Sequence, residues 1–288
     1  MSARLHGRPP ARPNGRPSGR RSSRLNRATT PGWLWVPFAL VLALTLGPLA
    51  GLLLNVPWAQ LPGLLAEPEV QRSLALSLGT AAISTGLCVA LGIPVAVLMT
   101  RLRGTAVDLA RGALLVPLVL SPVVSGLVLL FFWGRYGLFG SVLDAVGIRV
   151  GFSPAAVVIV QVFVSLPFFI VSVMTALAGV DEDLELSAAT CGASANQILR
   201  YITVPLAAPG ILVGTLLAFA RSLGEYGATI TFAGSIDGQT RTLPLQISLA
   251  LNSARPDQAL GVCLMLVAIY LVVLVAARFA GRLAALWR

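Results

Sequence analysis

Six long apolar runs dominate this chain and leave few folds open to it. They lie at about residues 33–54, 73–99, 112–133, 154–178, 209–234 and 259–280. A helix of roughly 20 apolar residues matches the hydrocarbon thickness of a bilayer. Within lipid the backbone groups find no water, so a single run satisfies all of them only as a helix. The sequence therefore predicts an all-α, polytopic membrane protein with about six transmembrane helices.

The composition agrees with a membrane protein, because 56% of the 288 residues are hydrophobic and 11% are charged. Soluble domains carry about 25% charged residues. The 21 basic residues exceed the 11 acidic ones and give a net charge of +10. A basic excess can indicate nucleic-acid binding. Here the basic residues, all of them Arg, collect at loops and ends on one side of the predicted membrane, so no nucleic-acid partner is expected.

The distribution of Arg also predicts the orientation. If the N-terminus is inside, 15 Arg residues lie on that side, five lie on the other, and Arg221 lies within a run. Cytoplasmic loops carry an excess of positive charge, so we expect both termini to be cytoplasmic in a multi-pass protein of the cell membrane.

Residues 1–30 hold eight Arg with several Pro and Gly. This composition predicts a disordered basic cytoplasmic tail, followed by a transmembrane domain at residues 31–288.

A polar loop at residues 179–208 is the longest internal loop on the predicted cytoplasmic side. It opens with four acidic residues, Asp181, Glu182, Asp183 and Glu185. Acidic residues favour a helix N-terminus through the helix dipole. Gly192 can end this helix, because glycine adopts a left-handed conformation at little cost, and Ser194 can cap a second helix that runs to Pro205. The pattern predicts two short helices around a tight turn.

This loop resembles the coupling loop of the membrane subunits of ABC-type importers. The family motif reads Glu-Ala-Ala, three residues, Gly, nine residues, Ile, one residue, Leu, Pro. Gly192, Ile202 and Pro205 fall in register, whereas Leu186 occupies the Glu position and Glu185 precedes it. In the family this loop docks into a groove of a separate ATPase subunit. The resemblance implies ATPase coupling by these residues: Glu185, Leu186, Ala188, Gly192, Ala193, Ser194, Ile202 and Pro205.

Two charges interrupt the fifth apolar run. Arg221 and Glu225 are four residues apart, which places them on one face of a helix. A charge at the membrane centre costs about 2.5–3.5 kcal/mol on insertion scales, so we expect both to face the interior and to pair. A partner in a second copy of the subunit remains open, as do two roles, packing or gating. Gly210, Gly214 and Ala218 form a small-residue stripe that lets helices approach closely.

The stretch FARSLGEYGATITFAG at residues 219–234, followed by TRTLP, resembles the membrane subunits of molybdate importers. Sulfate and tungstate permeases share its Gly-Glu-aromatic-Gly core, so they remain alternatives, with thiosulfate beside sulfate. The resemblance implies a type I ABC importer subunit that forms a homodimer and works with cytoplasmic ATPase subunits and an extracytoplasmic molybdate-binding protein. ATP and Mg²⁺ would bind the ATPase, and this subunit would hold no cofactor. The candidate translocation path or gate comprises Arg221, Ser222, Glu225, Tyr226 and Thr229.

Other functions find little support in the sequence. The chain has no G-x-x-x-x-G-K-[ST] phosphate loop, so ATP hydrolysis is expected elsewhere. It has one His, His6, and three Cys without metal-ligand spacing, so no catalytic or metal site is expected. A stand-alone channel, a secondary transporter with inverted repeats and an intramembrane enzyme are less favoured alternatives.

The longest loop on the predicted outer side, residues 235–258, alternates Leu and Ile with other residues in the manner of a strand. A single strand would find no partner in this fold, so a short interfacial helix is expected. This loop and the one around Glu67 and Glu69 are candidates for docking the binding protein.

Overall fold

A computed structural model describes residues 31–286, and within that range every regular element is helical. The first described element is a short 3₁₀ turn, Gly32–Leu34. The α-helices follow in this order: α1 Trp35–Asn55, α2 Leu61–Ala66, α3 Pro68–Arg101, α4 Thr105–Val119, α5 Pro122–Trp133, α6 Gly140–Ala145, α7 Pro154–Ala178, α8 Glu182–Thr190, α9 Ala195–Ile198, α10 Val204–Leu223, α11 Gly227–Phe232, α12 Leu243–Asn252 and α13 Pro256–Leu286. A π-helical segment, Leu199–Thr203, joins α9 to α10. The predicted tail at residues 1–30 lies outside the described residues.

The number of spans agrees with the prediction of about six. Five stretches are long and apolar enough to cross a bilayer, namely Gly32–Asn55, Pro68–Arg101, Pro154–Ala178, Ala195–Leu223 and Pro256–Ala276. The bent pair α4 and α5 supplies a sixth. The described residues fall into two units, divided between Leu49 and Ala50. The first holds the 3₁₀ turn and most of α1, whose side chains are exposed, and the second holds the remaining helices.

Helix α7 lies at the centre of the second unit and packs against α3 and α10. Cys88 of α3, Phe169 and Val173 of α7, and Ala218 of α10 are fully buried in one cluster. The predicted small-residue stripe makes this contact close. A Cβ on Gly210 would stand 2.2 Å from the Cβ of Ala176, so any larger residue would push α10 away from α7.

The third apolar run is broken, which the sequence analysis did not predict. Helix α4 ends at Val119, α5 starts at Pro122, and their axes differ by 117°. Ser121 is extended, with ψ at 148°, and its hydroxyl accepts the N–H of Val124 as an N-cap. The break has a local cause, because a residue before proline disfavours the helical conformation and serine stabilises a new helix start.

Even so, the pair α4–α5 extends from one end of α7 to the other. Leu114 of α4 packs in the cluster that contains Ile170 and Val173, near the C-terminus of α7. Leu129 of α5 packs with Val157 and Val160, near its N-terminus. The two helices therefore connect opposite ends of the fold as one broken span.

Two predicted boundaries around the fifth run are wrong. The second helix of the polar loop does not stop at Pro205 but continues through α10 as one span, Ala195–Leu223. Proline lacks an N–H and clashes with the carbonyl four residues earlier; the wider π turn at Leu199–Thr203 lies where this conflict arises. The span also ends at Leu223 instead of residue 234, so Glu225 follows the helix instead of lying on its face.

The outer loop contains a helix, as predicted, and the alternating pattern does not form a strand. Helix α12 packs against α13 and α3. Leu243 of α12, Val70 of α3 and Val262 of α13 form a fully buried cluster. The N–H of Leu243 donates to the hydroxyl of Ser77 on α3 at 2.7 Å, which fixes the start of α12 to that span.

Candidate coupling and translocation site

The polar loop forms a helix, a turn and a second helix, and each boundary has a recognisable cap. Asp181 accepts the N–H of Asp183 at 3.0 Å and begins α8. Gly192 has a φ of 88°, a left-handed conformation that glycine adopts without steric cost. Ser194 and Gln197 form a capping box, in which the Gln197 side chain accepts the Ser194 N–H at 2.8 Å. The conformation of the turn therefore follows from the residues within it.

The turn brings three of the eight motif residues into one groove. Gly192, Ala193 and Ile202 line a shallow groove together with Cys191 and Tyr201. The side chain of Leu186 is 65% exposed; Ser194 and Pro205 are exposed, and Ala188 is half-buried. A knob with exposed apolar side chains around a rigid turn suits docking into a protein groove.

Glu185 differs from its neighbours, because its carboxylate is bound within the chain. Arg101, the last residue of α3, places Nη2 3.0 Å from Oε1 and 3.2 Å from Oε2 of Glu185. The Thr203 hydroxyl donates to the same carboxylate. The sequence analysis identified Glu185 but missed Arg101 and Thr203, whose separation of 84 and 18 residues gives no local signal.

Arg221 and Glu225 pair as predicted, with Nη1 of Arg221 2.5 Å from Oε2 of Glu225. The Glu225 side chain is 1% exposed, and that of Arg221 is 30% exposed. The other oxygen of Glu225 accepts the N–H of Ala228 at 2.8 Å, at the start of α11. The carboxylate thus bridges the end of α10 and the beginning of α11, and it explains how the helix restarts after Gly224.

The other candidate path residues divide by exposure. Ser222 and Thr229 are fully buried, whereas Tyr226 is 42% exposed and its hydroxyl lies 3.1 Å from the Ser248 hydroxyl. Only Arg221 and Tyr226 of the predicted set therefore reach the surface of a single chain.

Ser222 belongs to a buried hydroxyl cluster that the sequence analysis missed. Its Oγ lies 2.9 Å from Oγ of Ser84 on α3 and 2.9 Å from Oγ of Ser165 on α7. The cluster joins three spans at one point. Its sequence signal was weak but present, since Ser84 and Ser165 are polar residues within apolar runs, and such residues in spans commonly bond across helices.

Ion pairs connect the loops at the end of the fold opposite the coupling turn. Nη2 of Arg72 lies 2.5 Å from Oδ2 of Asp237, and Nη2 of Arg255 lies 2.8 Å from Oε2 of Glu67. The hydrogen bond from Arg72 lowers the pKa of Asp237 below its ordinary value. In the α5–α7 loop, the hydrogen bond from Arg149 lowers the pKa of Asp144 in the same way. Glu67, a predicted docking residue, is thus already engaged within the chain.

Residues 89–285 match the family described as binding-protein-dependent transport system inner membrane component. The chain belongs to this family. It is therefore a multi-pass protein of the cytoplasmic membrane and a permease subunit of an ABC importer, and ATP hydrolysis lies on a separate subunit. This agrees with the sequence analysis. Across residues 31–286 no group of three His, Cys, Asp or Glu residues is placed to hold a metal.

The permease has named relatives over most of its length. The molybdenum transport system permease protein ModB of Mycobacterium tuberculosis is 46% identical over 239 residues, which cover 83% of this chain and 90% of the relative. ModB of Escherichia coli is 38% identical over 222 residues, 76% of this chain and 96% of the relative. The sulfate transport system permease protein CysW of Escherichia coli is 35% identical over 185 residues, 64% of each chain.

Among solved structures, the permease resembles a chain of a bacterial alginate ABC transporter in complex with a pentasaccharide-bound periplasmic protein. The TM-score is 0.71, the identity is 18%, and the match covers 87% of this chain and 94% of that chain. At this identity the likeness establishes the fold, and it confirms the type I importer architecture expected from the sequence.

Proposed function

We propose that this permease subunit translocates molybdate across the cytoplasmic membrane as part of an ATP-driven importer. The observation that carries the proposal is the continuous span Ala195–Leu223. It begins at the coupling turn and ends beside the Arg221–Glu225 pair. At 1.5 Å per residue its 29 residues extend over roughly 43 Å, so movement of the turn reaches the buried charges through one element. The choice of anion rests on the relatives named as molybdenum permeases.

Three partners belong to this function. A cytoplasmic ATPase subunit docks on the coupling turn and holds ATP and Mg²⁺, while this subunit holds no cofactor. An extracytoplasmic molybdate-binding protein docks at the opposite end of the fold. The third partner is a second copy of this chain, which completes a homodimer around a central path.

The exposed face of α10 supports the homodimer. Val213 and Leu217 are 52% and 49% exposed, and Arg221 lies one further turn along the same face. The neighbouring Ser222 contacts α3 and α7 near the middle of both helices, and an arginine that faces lipid at that depth is costly. A partly exposed Arg221 at the end of an apolar stripe therefore favours a protein-lined aqueous path over lipid. Two copies related by a two-fold axis would line such a path from both sides.

Arg221 is the residue best suited to meet the anion in transit. Glu225 binds Nη1 of its guanidinium, and the side chain of Arg221 stays 30% exposed. Guanidinium N–H groups bind the oxygens of tetrahedral anions with good geometry. Because Glu225 neutralises the charge of Arg221, the anion is held weakly, which transport requires. ATP binding would close the ATPase subunits, draw the coupling turns together and open this path outward.

Uptake of labelled molybdate into cells with and without this gene tests the function. We expect gene-dependent uptake that excess tungstate blocks and excess sulfate does not. Equal block by sulfate would assign the chain to sulfate or thiosulfate transport, the alternative that the similarity to CysW supports. The absence of gene-dependent uptake, with the partner proteins present, would reject the oxyanion assignment.

A further inference from the structure

The carboxylate of Glu185 joins three elements at the coupling end of the fold. It binds Nη2 of Arg101 through both oxygens, at 3.0 and 3.2 Å, and it accepts the hydroxyl of Thr203. The same Nη2 lies 3.4 Å from the Thr203 hydroxyl, so the three side chains form a closed triangle. Arg101 ends α3, Glu185 lies within α8, and Thr203 ends the π segment that leads into α10.

This triangle matters because, within residues 31–286, no other side-chain hydrogen bond or salt bridge joins α8 to α3. None of the residues of α8 is buried, so apolar packing does not set its position. Of the four acidic residues at the start of the polar loop, Glu185 alone forms a salt bridge within the described range. The side chains of Arg101 and Glu185 are 42% and 27% exposed, so the pair is partly shielded from water and its charges attract more strongly than they would at an open surface.

We propose that Glu185 is a positioning residue that makes α8, the end of α3 and the start of α10 move as one body. A push on α8 would then reach two spans at once, α10 through the chain and α3 through Arg101. This inference rests on the proposed function for its meaning in transport. It also changes the role implied by the family motif, because Glu185 acts within the chain and leaves the exposed Leu184 and Leu186 to meet the ATPase.

Hydrogen exchange on the purified chain tests the triangle without reference to any substrate. Arg101→Gln and Glu185→Gln should each raise backbone exchange across residues 182–190 and 199–203, since both variants break the same link. Asp108→Asn is the matched control. Asp108 also pairs with an arginine, Arg111, but within one helix, so its loss should leave exchange in those segments unchanged. Unchanged exchange in both test variants would overturn the proposal whatever the transported ion is.

Coupling in the assembled importer tests the mechanical role. We would reconstitute each variant in proteoliposomes with the ATPase and the binding protein. Both single variants should still hydrolyse ATP, while the molybdate transported per ATP should fall about tenfold. This is the size expected for the loss of one charge-assisted hydrogen bond. The exchanged pair, Arg101→Glu with Glu185→Arg, should recover much of that ratio. Asp108→Asn should match the wild type.

The outcomes separate this inference from the proposed function. Loss of the ATPase from the purified Glu185→Gln complex, without the same loss in Arg101→Gln, would mean that Glu185 contacts the ATPase directly and would overturn the inference. A wild-type ratio in both single variants would overturn it as well. A wild-type importer that moves no molybdate would instead reject the proposed function, and the exchange experiment would still decide whether the triangle positions α8.

Discussion

Glu225 is a buried carboxylate whose roles in packing and in transport can be separated by one substitution. Its side chain is 1% exposed and satisfies Arg221 and the N–H of Ala228. Glu225→Gln keeps an oxygen for Ala228 but removes the charge that neutralises Arg221. Breaking a fully buried pair costs about 3–5 kcal/mol, and partial exposure of Arg221 should reduce this to about 2 kcal/mol. We expect a lower melting temperature in detergent together with reduced molybdate uptake.

Asp108→Asn provides the control for that measurement. Asp108 is 67% exposed and pairs with Arg111, and exposed pairs contribute about 0–1 kcal/mol. Melting temperatures that fall equally in both variants would contradict the special role of Glu225. Normal uptake by a merely less stable Glu225→Gln protein would assign the pair to packing and not to gating.

Gly126 makes a second residue-scale prediction, since it lets α5 approach α11. A Cβ there would lie 2.6 Å from Cβ of Thr231 and 2.9 Å from the carbonyl oxygen of Ala228. Gly126→Ala should therefore force the helices apart and destabilise the protein by about 1–3 kcal/mol. Gly79→Ala is the matched change, because a Cβ there meets nothing within 4 Å, and alanine favours a helix over glycine by about 0.5–1 kcal/mol. Thermal unfolding that ranks Gly126→Ala at or above Gly79→Ala would refute this packing.

At the scale of elements, boundaries set by neighbouring residues were predictable from the sequence, and boundaries set by contacts elsewhere in the fold were not. The coupling turn was predictable because Asp181, Gly192 and Ser194 act through their own neighbours. The pairing of Arg221 with Glu225 was predictable because an unpaired charge within an apolar span is costly. The break at Gly224 was not, since it depends on the Glu225 carboxylate capping α11. Likewise, continuation through Pro205 depends on the π turn that precedes it.

The loop between α11 and α12 makes an element-scale prediction about pH. Arg72 lowers the pKa of Asp237, so the folded protein holds this carboxylate charged more firmly than the unfolded chain does. The resulting stability is present above the ordinary Asp value of about 3.9 and is lost as pH falls through the lowered native value. Asp237→Asn should therefore melt below the wild type at pH 6, and this difference should be smaller at pH 3. A difference that stays constant between these two pH values would exclude the ion pair as its source.

At the scale of the whole molecule, the broken third span decides which loops share a side of the membrane. Helices α4 and α5 could in principle enter and leave on one side, because they differ in direction by 117°. Their contacts argue otherwise, since α4 packs near the C-terminus of α7 and α5 near its N-terminus. The loop after α3 should therefore share a side with the coupling turn, and the loop after α5 should lie opposite.

Labelling with a membrane-impermeant maleimide tests this arrangement. Cys191 is exposed on the coupling turn, Cys88 is buried, and Tyr136 in the loop after α5 is 93% exposed. In a Cys263→Ser background, Cys191 should react in inverted vesicles and not in intact cells. With Cys191→Ser added, Arg103→Cys should behave like Cys191, and Tyr136→Cys should react in intact cells, because α4–α5 and α7 each cross once. Equal labelling of positions 103 and 136 from one side would make α4–α5 a re-entrant loop. Reversal of the labelling pattern at all three positions would place the coupling turn outside, where no ATPase could reach it.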